Sequence, residues 1–593
     1  MFKKQLLTGA EACVRILEKY NIQYAFAYPG TSELLLCNEL IKSKKITIIN
    51  GRGDKESAFM SAGASMLSPL KAVAILHGAR GLTNATGAIA DTYRNEYATV
   101  FFVGLPSTHS APYLPPHGEK DLIKNIGKFV KSAHEVRLSP KENDSSVDRG
   151  KKIQAFLNIL TDALNDACTL PYAPTICGIS QDCLELKWIP ENFNSLIKNK
   201  VIKNTNTKSI QQTINIIKKS KKSLLLVDDF LFHHPLAKKS LLKLSNNLQS
   251  PILQINYQRG PMFFERICSK QNPFFVGPYN TEADLHKKLL NEADLLIMIE
   301  DRNGYKRIIG LLPKCKKISI TSNLEMTKKN KTLSTNDILI QGNVIEIMDN
   351  ISNIIKNKKN TEIKKQCRSI RKEVYTIPPI PKKYIFMRKT IPKIIAASIK
   401  GEKHPIIVDD SQMFGGLLAE MYEEYPSNLK VFGDHGAFVG AGIAYANGLA
   451  LSSNNCSIIC ILGDQAFTNG FQGLVSSVEN NINITYLVCN NQCSVSLKKQ
   501  AAFQKMNQIV TDTFLENAPI HYCDIAKSIG LKSFKFKVPI TTNSSIIKKS
   551  DMKLRHIIKQ AITIKGPALI ELIMPSTPEA WDGIWSTRGN ENN

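Results

Sequence analysis

The sequence predicts an α/β protein of three domains, each a mostly parallel sheet flanked by helices. Short apolar runs with the length of buried strands recur along the 593 residues and alternate with segments of helical periodicity. A chain of this length is too long for one hydrophobic core. We place the domains at residues 1–190, 200–355 and 386–593, with a Lys-rich, Pro-containing linker at 356–385.

One strand–helix–strand unit of the third domain organises the chain. The apolar run Ile458–Leu462 predicts a strand that stops at Gly463-Asp464, and the run Ile484–Cys489 predicts a second strand that stops at Asn490-Asn491. Four apolar residues between them have the spacing of one helix face (Phe471, Leu474, Val475 and Val478). The two strands should therefore be parallel and joined by a right-handed crossover.

Parallel strands end at the same sheet edge, so Asp464 and Asn491 should come together there. One carboxylate and one amide oxygen, with a loop carbonyl nearby, form half of a hard-oxygen Mg²⁺ site and leave room for phosphate oxygens. The alternative is an ordinary βαβ unit in which both side chains only cap loops.

The first domain shows the same alternation of strands and helices. Helices are predicted around Gly9–Tyr20, from Glu56, through Asp91 and at Ile153–Ala167; strands are predicted at Tyr24–Ala27, Ile46–Asn50, Ala72–Leu76, Val100–Val103 and Pro174–Cys177. The segment 77–84 reads as a loop, and the polar stretch Leu138–Arg149 reads as an exposed loop. The small residues after Glu56 predict a helix that packs closely against a neighbour.

The central and third domains continue this pattern. Central strands are predicted at Ser223–Val227, Ile252–Ile255, Leu295–Ile299 and Lys317–Ile320. In the third domain, a strand at Ile406–Val408 should lead into a loop at residues 409–412.

Composition excludes several classes of protein. No apolar run reaches 18 residues, and the first 20 residues have no apolar core long enough for a signal peptide, so we expect no membrane span and a cytoplasmic location. The net charge of +26 suits a nucleic-acid binder, but the lysines are scattered and are not paired with aromatic residues at a stacking spacing. The 13 cysteines include no Cys-x-x-Cys motif, which argues against zinc ribbons and iron–sulfur clusters.

The pair Gly463-Asp464 and Asn490-Asn491 resembles the thiamine-diphosphate fingerprint. In the first domain, AYPGTSELL, DKESAFMSAGA and HGARGLTN resemble segments of the acetolactate synthase / 2-oxo acid decarboxylase family, in matching order. The resemblance implies a thiamine-diphosphate-binding fold in the first and third domains and a Rossmann-like central domain. One departure is Gln465, which stands where the family usually has Gly.

The resemblance also implies roles for individual residues. Asp464 and Asn491 would bind Mg²⁺ through their side chains, and Cys493 through its backbone carbonyl. Glu56 would hydrogen-bond the pyrimidine N1′ and Val439 would support the bent cofactor; the alternative for Glu56 is a carboxylate that only stabilises a helix N-terminus. The resemblance assigns cofactor binding to Pro29, Gly30, Asn84, Gln412, Val439, Gly463, Asp464, Gln465, Ala466 and Asn491.

The implied activity is Mg²⁺- and thiamine-diphosphate-dependent decarboxylation of a 2-oxo acid, with carboligation to an acceptor, by a homodimer or homotetramer. A simple non-oxidative decarboxylase and a catalytically silent relative are the alternatives. After Val227 the chain reads Asp-Asp-Phe-Leu rather than a Gly-rich turn, which argues against FAD. His77, Arg80, His117 and His435 could face the substrate, and two potential cations in the 77–84 loop predict an anionic 2-oxo acid.

Overall fold

The computed structural model describes residues 6–196, 207–255, 262–356, 360–374, 380–453, 455–507 and 514–584. It contains three six-stranded sheets in which all described pairings are parallel. Helices cover the sheets, so the inner strands are buried on both faces and read as continuous apolar runs, whereas edge strands such as β6 and β19 are partly exposed. The sheets lie within the three predicted segments, while the domain boundaries themselves stay a prediction.

The first sheet has the strand order β3-β2-β4-β5-β7-β6, and the short strands β1 and β8 pair antiparallel beside it. Its strands are β1 Leu6–Thr8, β2 Tyr24–Ala27, β3 Thr47–Asn50, β4 Ala72–His77, β5 Val100–Leu105, β6 Ser132–Val136, β7 Thr175–Ser180 and β8 Lys187–Pro190. Its helices are α1 Gly9–Lys19, α2 Leu34–Lys42, α3 Asp54–Ala64, α4 Gly78–Arg94, α5 Leu122–Ile126, α6 Ser146–Cys168 and α7 Gln181–Glu185.

The central sheet has the order β11-β10-β9-β12-β13-β14. Its strands are β9 Ser223–Val227, β10 Ile252–Gln254, β11 Phe275–Pro278, β12 Leu295–Ile299, β13 Lys316–Thr321 and β14 Ile338–Gln341. The helices around it are α8 Thr207–Lys219, α9 Ala237–Leu248, α10 Asp284–Asn291, α11 Lys306–Ile309, α12 Leu324–Lys329, α13 Val344–Ile354 and α14 Thr361–Val374.

The third sheet has the order β16-β15-β17-β18-β20-β19. Its strands are β15 Pro405–Asp410, β16 Lys430–Gly433, β17 Ser457–Gly463, β18 Ile484–Asn490, β19 Lys532–Lys537 and β20 Pro567–Ile573. Its helices are α15 Ile391–Ser398, α16 Met413–Glu420, α17 Gly442–Ser452, α18 Asp464–Gly470, α19 Gly473–Glu479, α20 Val495–Phe503, α21 Tyr522–Ile529 and α22 Ser544–Thr563. As predicted, β17 and β18 are parallel neighbours, with Gly463 opposite Cys489.

The strand predictions at 24–27, 223–227 and 295–299 are confirmed to the residue, but the loop predicted at 77–84 is wrong. Helix α4 already begins at Gly78, because the amide of Ala79 donates to the carbonyl of His117, 3.0 Å away. Gly81 allows α4 to pack closely on Asp54 and does not mark a loop. A Cβ at this position would lie only 2.4 Å from Asp54 Oδ1 and would collide with that carboxyl group.

Four other expectations need correction. The predicted helix between β17 and β18 is two helices, and Phe471 lies between them, 43% exposed, because Gly470 packs directly on the backbone of Gly440. The end of the predicted loop 138–149 is helical, since Ser145 caps α6. The segment predicted as a linker contains the helix α14. Residues 357–359 and 375–379 of this linker lie outside the described residues. The predicted loop 409–412 begins with two residues of β15.

Helices α3 and α17 join the first and third domains. A Cβ on Gly63 would collide with the carbonyl of Tyr445, and one on Gly448 would collide with the carbonyl of Met60. The predicted close packing of the small-residue helix after Glu56 is therefore confirmed, and α17 is its neighbour. Within the described ranges, we find no helix that is both long and apolar enough to cross a membrane.

Candidate active site

A cavity lies at the carboxyl edge of the third sheet, where β15, β17 and β18 end. It is lined by Asp410, Ser411, Gln412, Met413, Val439, Gly463, Asp464, Gln465, Ala466, Cys489, Asn491, Cys493, Ser494, Val495 and Ser496. The structure thus brings together every third-domain residue predicted to bind cofactor or metal. All lining residues belong to the third domain, although the fingerprint residues are far apart in the sequence.

Asp464 and Asn491 offer oxygen atoms in this cavity. Asp464 is 5% exposed, and burial raises its pKa to about 6 even though the Gln465 amide donates to its Oδ1, 2.8 Å away. Asn517 lies close enough to lower that pKa, but within the described residues no hydrogen bond satisfies Asp464 Oδ2. A buried carboxylate oxygen without a partner calls for a ligand. Asn491 Oδ1 accepts only a long bond, 3.3 Å, from the Cys493 amide.

Cys493 can offer its carbonyl but not a thiolate. Burial raises the pKa of the Cys493 thiol to about 11, and its Sγ lies 3.5 Å from the carbonyl of Ser576. The Cys493 carbonyl accepts one hydrogen bond, 3.0 Å from the Val495 amide, and a carbonyl has a second lone pair. This donor set of carboxylate, amide and carbonyl oxygens fits Mg²⁺.

The described residues contain no cluster of three or more His, Cys, Asp or Glu side chains that could hold a metal ion. The set at Asp464 has a single carboxylate, so it suits a cation whose remaining ligands are phosphate oxygens and water. The site therefore fits a magnesium diphosphate better than a free metal ion.

Gln465 does not fill the space that the usual glycine would leave open. Its side chain is exposed, and its Nε2 donates to Asn517 Oδ1 at 3.2 Å. The departure from the family pattern adds a contact between α18 and the segment that follows residue 513, and the cavity beside Asp464 stays open.

The first domain carries a separate cluster around Glu33, which is not among the site residues predicted from the sequence. Glu33 is 1% exposed, accepts a hydrogen bond from the Gly30 amide, and lies 3.1 Å from His77 Nδ1. His77 Nε2 lies 2.9 Å from His117 Nδ1. The hydrogen bond to Glu33 raises the pKa of His77. A Cβ on Gly30 would collide with the imidazole of His77, so the predicted Pro-Gly turn packs on this ring.

Glu56 does not line the cofactor cavity of its own chain. It is 2% exposed at the start of α3, and its Oε1 lies 3.0 Å from Lys55 Nζ. Lys55 Nζ also donates to the carbonyl of Asn469, 2.7 Å away. Lys55 was not singled out from the sequence, because a lysine beside a helix-start glutamate is an ordinary surface pattern.

The other first-domain candidates are more open. Asn84 is exposed on α4, and Arg80 pairs with Glu119 at 3.0 Å with side chains 63% and 44% exposed. Pro29 lines an apolar groove together with Leu34 and Ile41, which are 57% and 69% exposed. None of these residues reaches the third-domain cavity within one chain.

His435 does not line the cavity of the third domain that holds Asp464. Its side chain is 5% exposed and lies 2.9 Å from Asp229 Oδ2 of the central domain. Its ring stacks on Phe230 and Phe264, with centroids 4.1 and 4.4 Å away. Through these contacts His435 joins two domains, and the expectation that it faces the substrate stays a prediction.

Acidic residues occupy the carboxyl edge of the central sheet. Asp228 accepts from the Asn303 amide at 2.8 Å, and Glu300 pairs with Arg302. Arg302 is 3% exposed and also pairs with Glu96 of the first domain at 2.8 Å. These carboxyl groups are engaged in hydrogen bonds and ion pairs within the protein, and the expectation that FAD does not bind here stays a prediction.

Comparison with known families identifies what these two half-sites share. Residues 7–126 match the family model for the thiamine pyrophosphate enzyme, N-terminal TPP binding domain, and residues 415–572 match the model for the C-terminal TPP binding domain. The chain belongs to the thiamine-diphosphate-dependent enzyme superfamily. The two matched segments contain Glu56 and the Asp464/Asn491 pair, respectively.

Individual relatives of this thiamine-diphosphate-dependent enzyme are distant. The large subunit of acetolactate synthase isozyme 1 from Escherichia coli (strain K12) is 20% identical over 577 residues, covering 96% of this chain and 94% of that protein. The mitochondrial catalytic subunit of acetolactate synthase from Saccharomyces cerevisiae is 21% identical, covering 95% and 80%.

Solved structures with the same fold include two decarboxylases. The 4-hydroxybenzoylformate decarboxylase of Rhodococcus jostii RHA1 superposes with a TM-score of 0.72 at 15% identity, covering 96% of this chain and 100% of that one. Benzoylformate decarboxylase from Polynucleobacter necessarius gives 0.72 at 15% identity, covering 96% and 99%. At this identity the likeness establishes the three-domain fold.

Proposed function

We propose that this enzyme binds thiamine diphosphate and Mg²⁺, decarboxylates a 2-oxo acid and joins the remaining fragment to an acceptor. The observation that carries the proposal is the cavity beside Asn491 in which Asp464 Oδ2 is buried and has no hydrogen-bond partner among the described residues. The acetolactate synthases among its relatives support the carboligation step.

The residues of the cavity divide the work of holding the cofactor. Asp464, Asn491 and the Cys493 carbonyl would bind the cation that carries the diphosphate. Val439 and Gln412 line the same cavity, where Val439 would support the bent cofactor and Gln412 would contact it. When bound, thiamine diphosphate supplies a nucleophilic carbon and an electron sink for the carbanion left by CO₂.

Glu56 would hold a proton at N1′ of the pyrimidine, which requires it to reach the cofactor. Because it lies outside the cavity of its own chain, we propose that a second copy supplies it, so that the minimal active unit is a homodimer. The apolar groove of Pro29, Leu34 and Ile41 lies next to the Gly30 turn and offers a surface for that second copy to cover.

For the substrate, we propose an anionic 2-oxo acid bound beside His77. Glu33 keeps this imidazole oriented and raises its pKa, so it can donate a proton or a hydrogen bond to a carboxylate. His117 extends the same hydrogen-bonded line. Arg80 would bind a second carboxylate after exchanging its exposed pairing with Glu119.

The test measures CO₂ release and carboligation product for a panel of 2-oxo acids, with Mg²⁺ and thiamine diphosphate present or removed by EDTA and dialysis. We expect activity to require both, Asp464→Ala to lose cofactor retention, and dicarboxylic 2-oxo acids to exceed pyruvate in kcat/KM. Arg80→Ala should narrow that preference, while Arg94→Ala, on the last turn of the same helix, serves as the control.

Each outcome has a distinct meaning. CO₂ release without carboligation would establish a simple decarboxylase, and cofactor binding without either would establish a catalytically silent relative. Cofactor affinity that EDTA and Asp464→Ala both leave unchanged would refute the site. If pyruvate is preferred and Arg80→Ala changes nothing, Arg80 is only an exposed helix residue.

A further inference from the structure

We propose that Asp410 is the positioning residue that fixes the backbone on which Val439 presents its side chain to the cofactor. This inference rests on the proposed function, in which Val439 supports the bent cofactor. Asp410 is not one of the catalytic, cofactor-binding or metal-binding residues predicted from the sequence.

Asp410 is the last residue of β15 and has two ties to the Val439 turn. Its Oδ2 accepts hydrogen bonds from the Gly440 amide and from the Gly442 amide, both at 2.9 Å. Gly442 is the first residue of α17, whose N-terminal amides have no partner within the helix. One carboxylate oxygen therefore closes the turn between Val439 and the helix, at the positive end of the helix dipole.

The turn has little freedom to adopt another shape without this carboxylate. Gly440 has φ +103°, a conformation that side chains rarely adopt, and a Cβ there would lie 2.6 Å from Asn469 Cβ. Helix α18 thus blocks one side of the turn, and Asp410 holds the other. Because Val439 immediately precedes Gly440, a shift of these amides moves the Val439 side chain within the cavity.

Burial and the alternation of side chains along β15 make Asp410 the residue of this strand that binds the Val439 turn. Asp410 is 7% exposed and lines the cofactor cavity itself, and within the described part of the chain no Lys, Arg or His forms an ion pair with it. Its neighbour Asp409 faces the other side of the sheet, where its carboxylate accepts from the amides of Phe263 and Ser411. Alternation along β15 therefore aims only Asp410 at the Val439 turn.

The experiment compares Asp410→Ala, Asp410→Asn and Val439→Ala with the wild-type full chain. It measures the Kd of thiamine diphosphate at saturating Mg²⁺ by isothermal titration calorimetry, together with KM for the cofactor, kcat and Tm. Asp410→Ala leaves two buried amides without an acceptor and should raise the Kd on the order of tenfold or more. Asp410→Asn keeps an acceptor oxygen and should bring the Kd back to within about threefold of wild type.

The matched control is Asp228→Ala in the central domain. Asp228 is fully buried and also accepts from two backbone amides, those of Phe230 and Asn303, but it belongs to the central domain and does not line the cofactor cavity. This control should lower Tm and leave the Kd of the cofactor unchanged. If Asp410→Ala does not fold, Asp410→Ser, whose shorter side chain cannot reach both amides, is measured by the same criteria.

A double-mutant cycle tests whether Asp410 acts through Val439. The double variant Asp410→Ala/Val439→Ala should bind cofactor no more weakly than the weaker single variant, since both changes remove the same support. Three results would each overturn the inference. The effects of Asp410→Ala and Val439→Ala on Kd could be fully additive, or Asp410→Ala could bind the cofactor with the Kd of wild type. Asp228→Ala could also raise the Kd as much as Asp410→Ala does. A wild-type protein that binds no thiamine diphosphate would instead refute the proposed function.

Discussion

Mixing two inactive variants tests whether the active site is built across two chains. Glu56 contacts α18 through Lys55 and Asn469, and Asn469 follows Asp464 by five residues, about 7.5 Å along the helix axis. Glu56 thus approaches the end of α18 opposite to the metal site of its own chain. If a partner supplies the glutamate, Glu56→Gln and Asp464→Ala chains should complement each other after co-refolding.

The size of the recovery follows from counting chains. Random pairing of equal amounts gives mixed dimers in about half of all cases, and each mixed dimer has one site with both residues intact and one with neither, so about a quarter of all sites recover. Thiamine-diphosphate-dependent CO₂ release from the mixture, against each variant refolded alone, measures this fraction. No recovery despite dimers detected by sedimentation would show that each chain builds its own site, and the cross-chain reasoning would be refuted.

Three further outcomes are expected. Glu56→Gln should fold and bind cofactor but slow hydrogen–deuterium exchange at C2, followed by NMR, by about a hundredfold or more; an unchanged rate would reduce Glu56 to a helix cap. Arg302→Met should lower the free energy of unfolding in urea by about 3–5 kcal/mol, because the buried Glu300 and the partly buried Glu96 lose their partner. Because Glu33 raises the pKa of His77, their pairing stabilises the fold fully below the ordinary His pKa and loses this effect as pH rises through the raised pKa. The Tm difference between Glu33→Gln and wild type should therefore be larger at about pH 5.5 than at about pH 9; a difference independent of pH would contradict it.

The fold and the meeting of Asp464 with Asn491 at one sheet edge could be predicted because they depend on local patterns. Buried parallel strands read as apolar runs, and their carboxyl ends must meet at one edge, so Asp464 and Asn491 were paired without a structure. The start of α4 could not be predicted, because it depends on the His117 carbonyl, which is distant in sequence. The burial of His435 between two aromatic rings of the central domain could not be predicted either. Such tertiary contacts leave no periodic signal.

The division of the site between domains has a consequence for substrate choice. Glu33, His77 and His117 lie in the same domain as Glu56, while the cofactor cavity lies wholly in the third domain. If Glu56 acts in the site of a second copy, then Glu33, His77 and His117 must lie at that same site, because all four residues belong to one domain. Each chain would then bind one cofactor in its third domain, and its first-domain histidines would determine the substrate preference at the cofactor of its partner. A heterodimer of wild type and His77→Ala should accordingly lose anionic-substrate preference in the site whose cofactor is held by the wild-type chain.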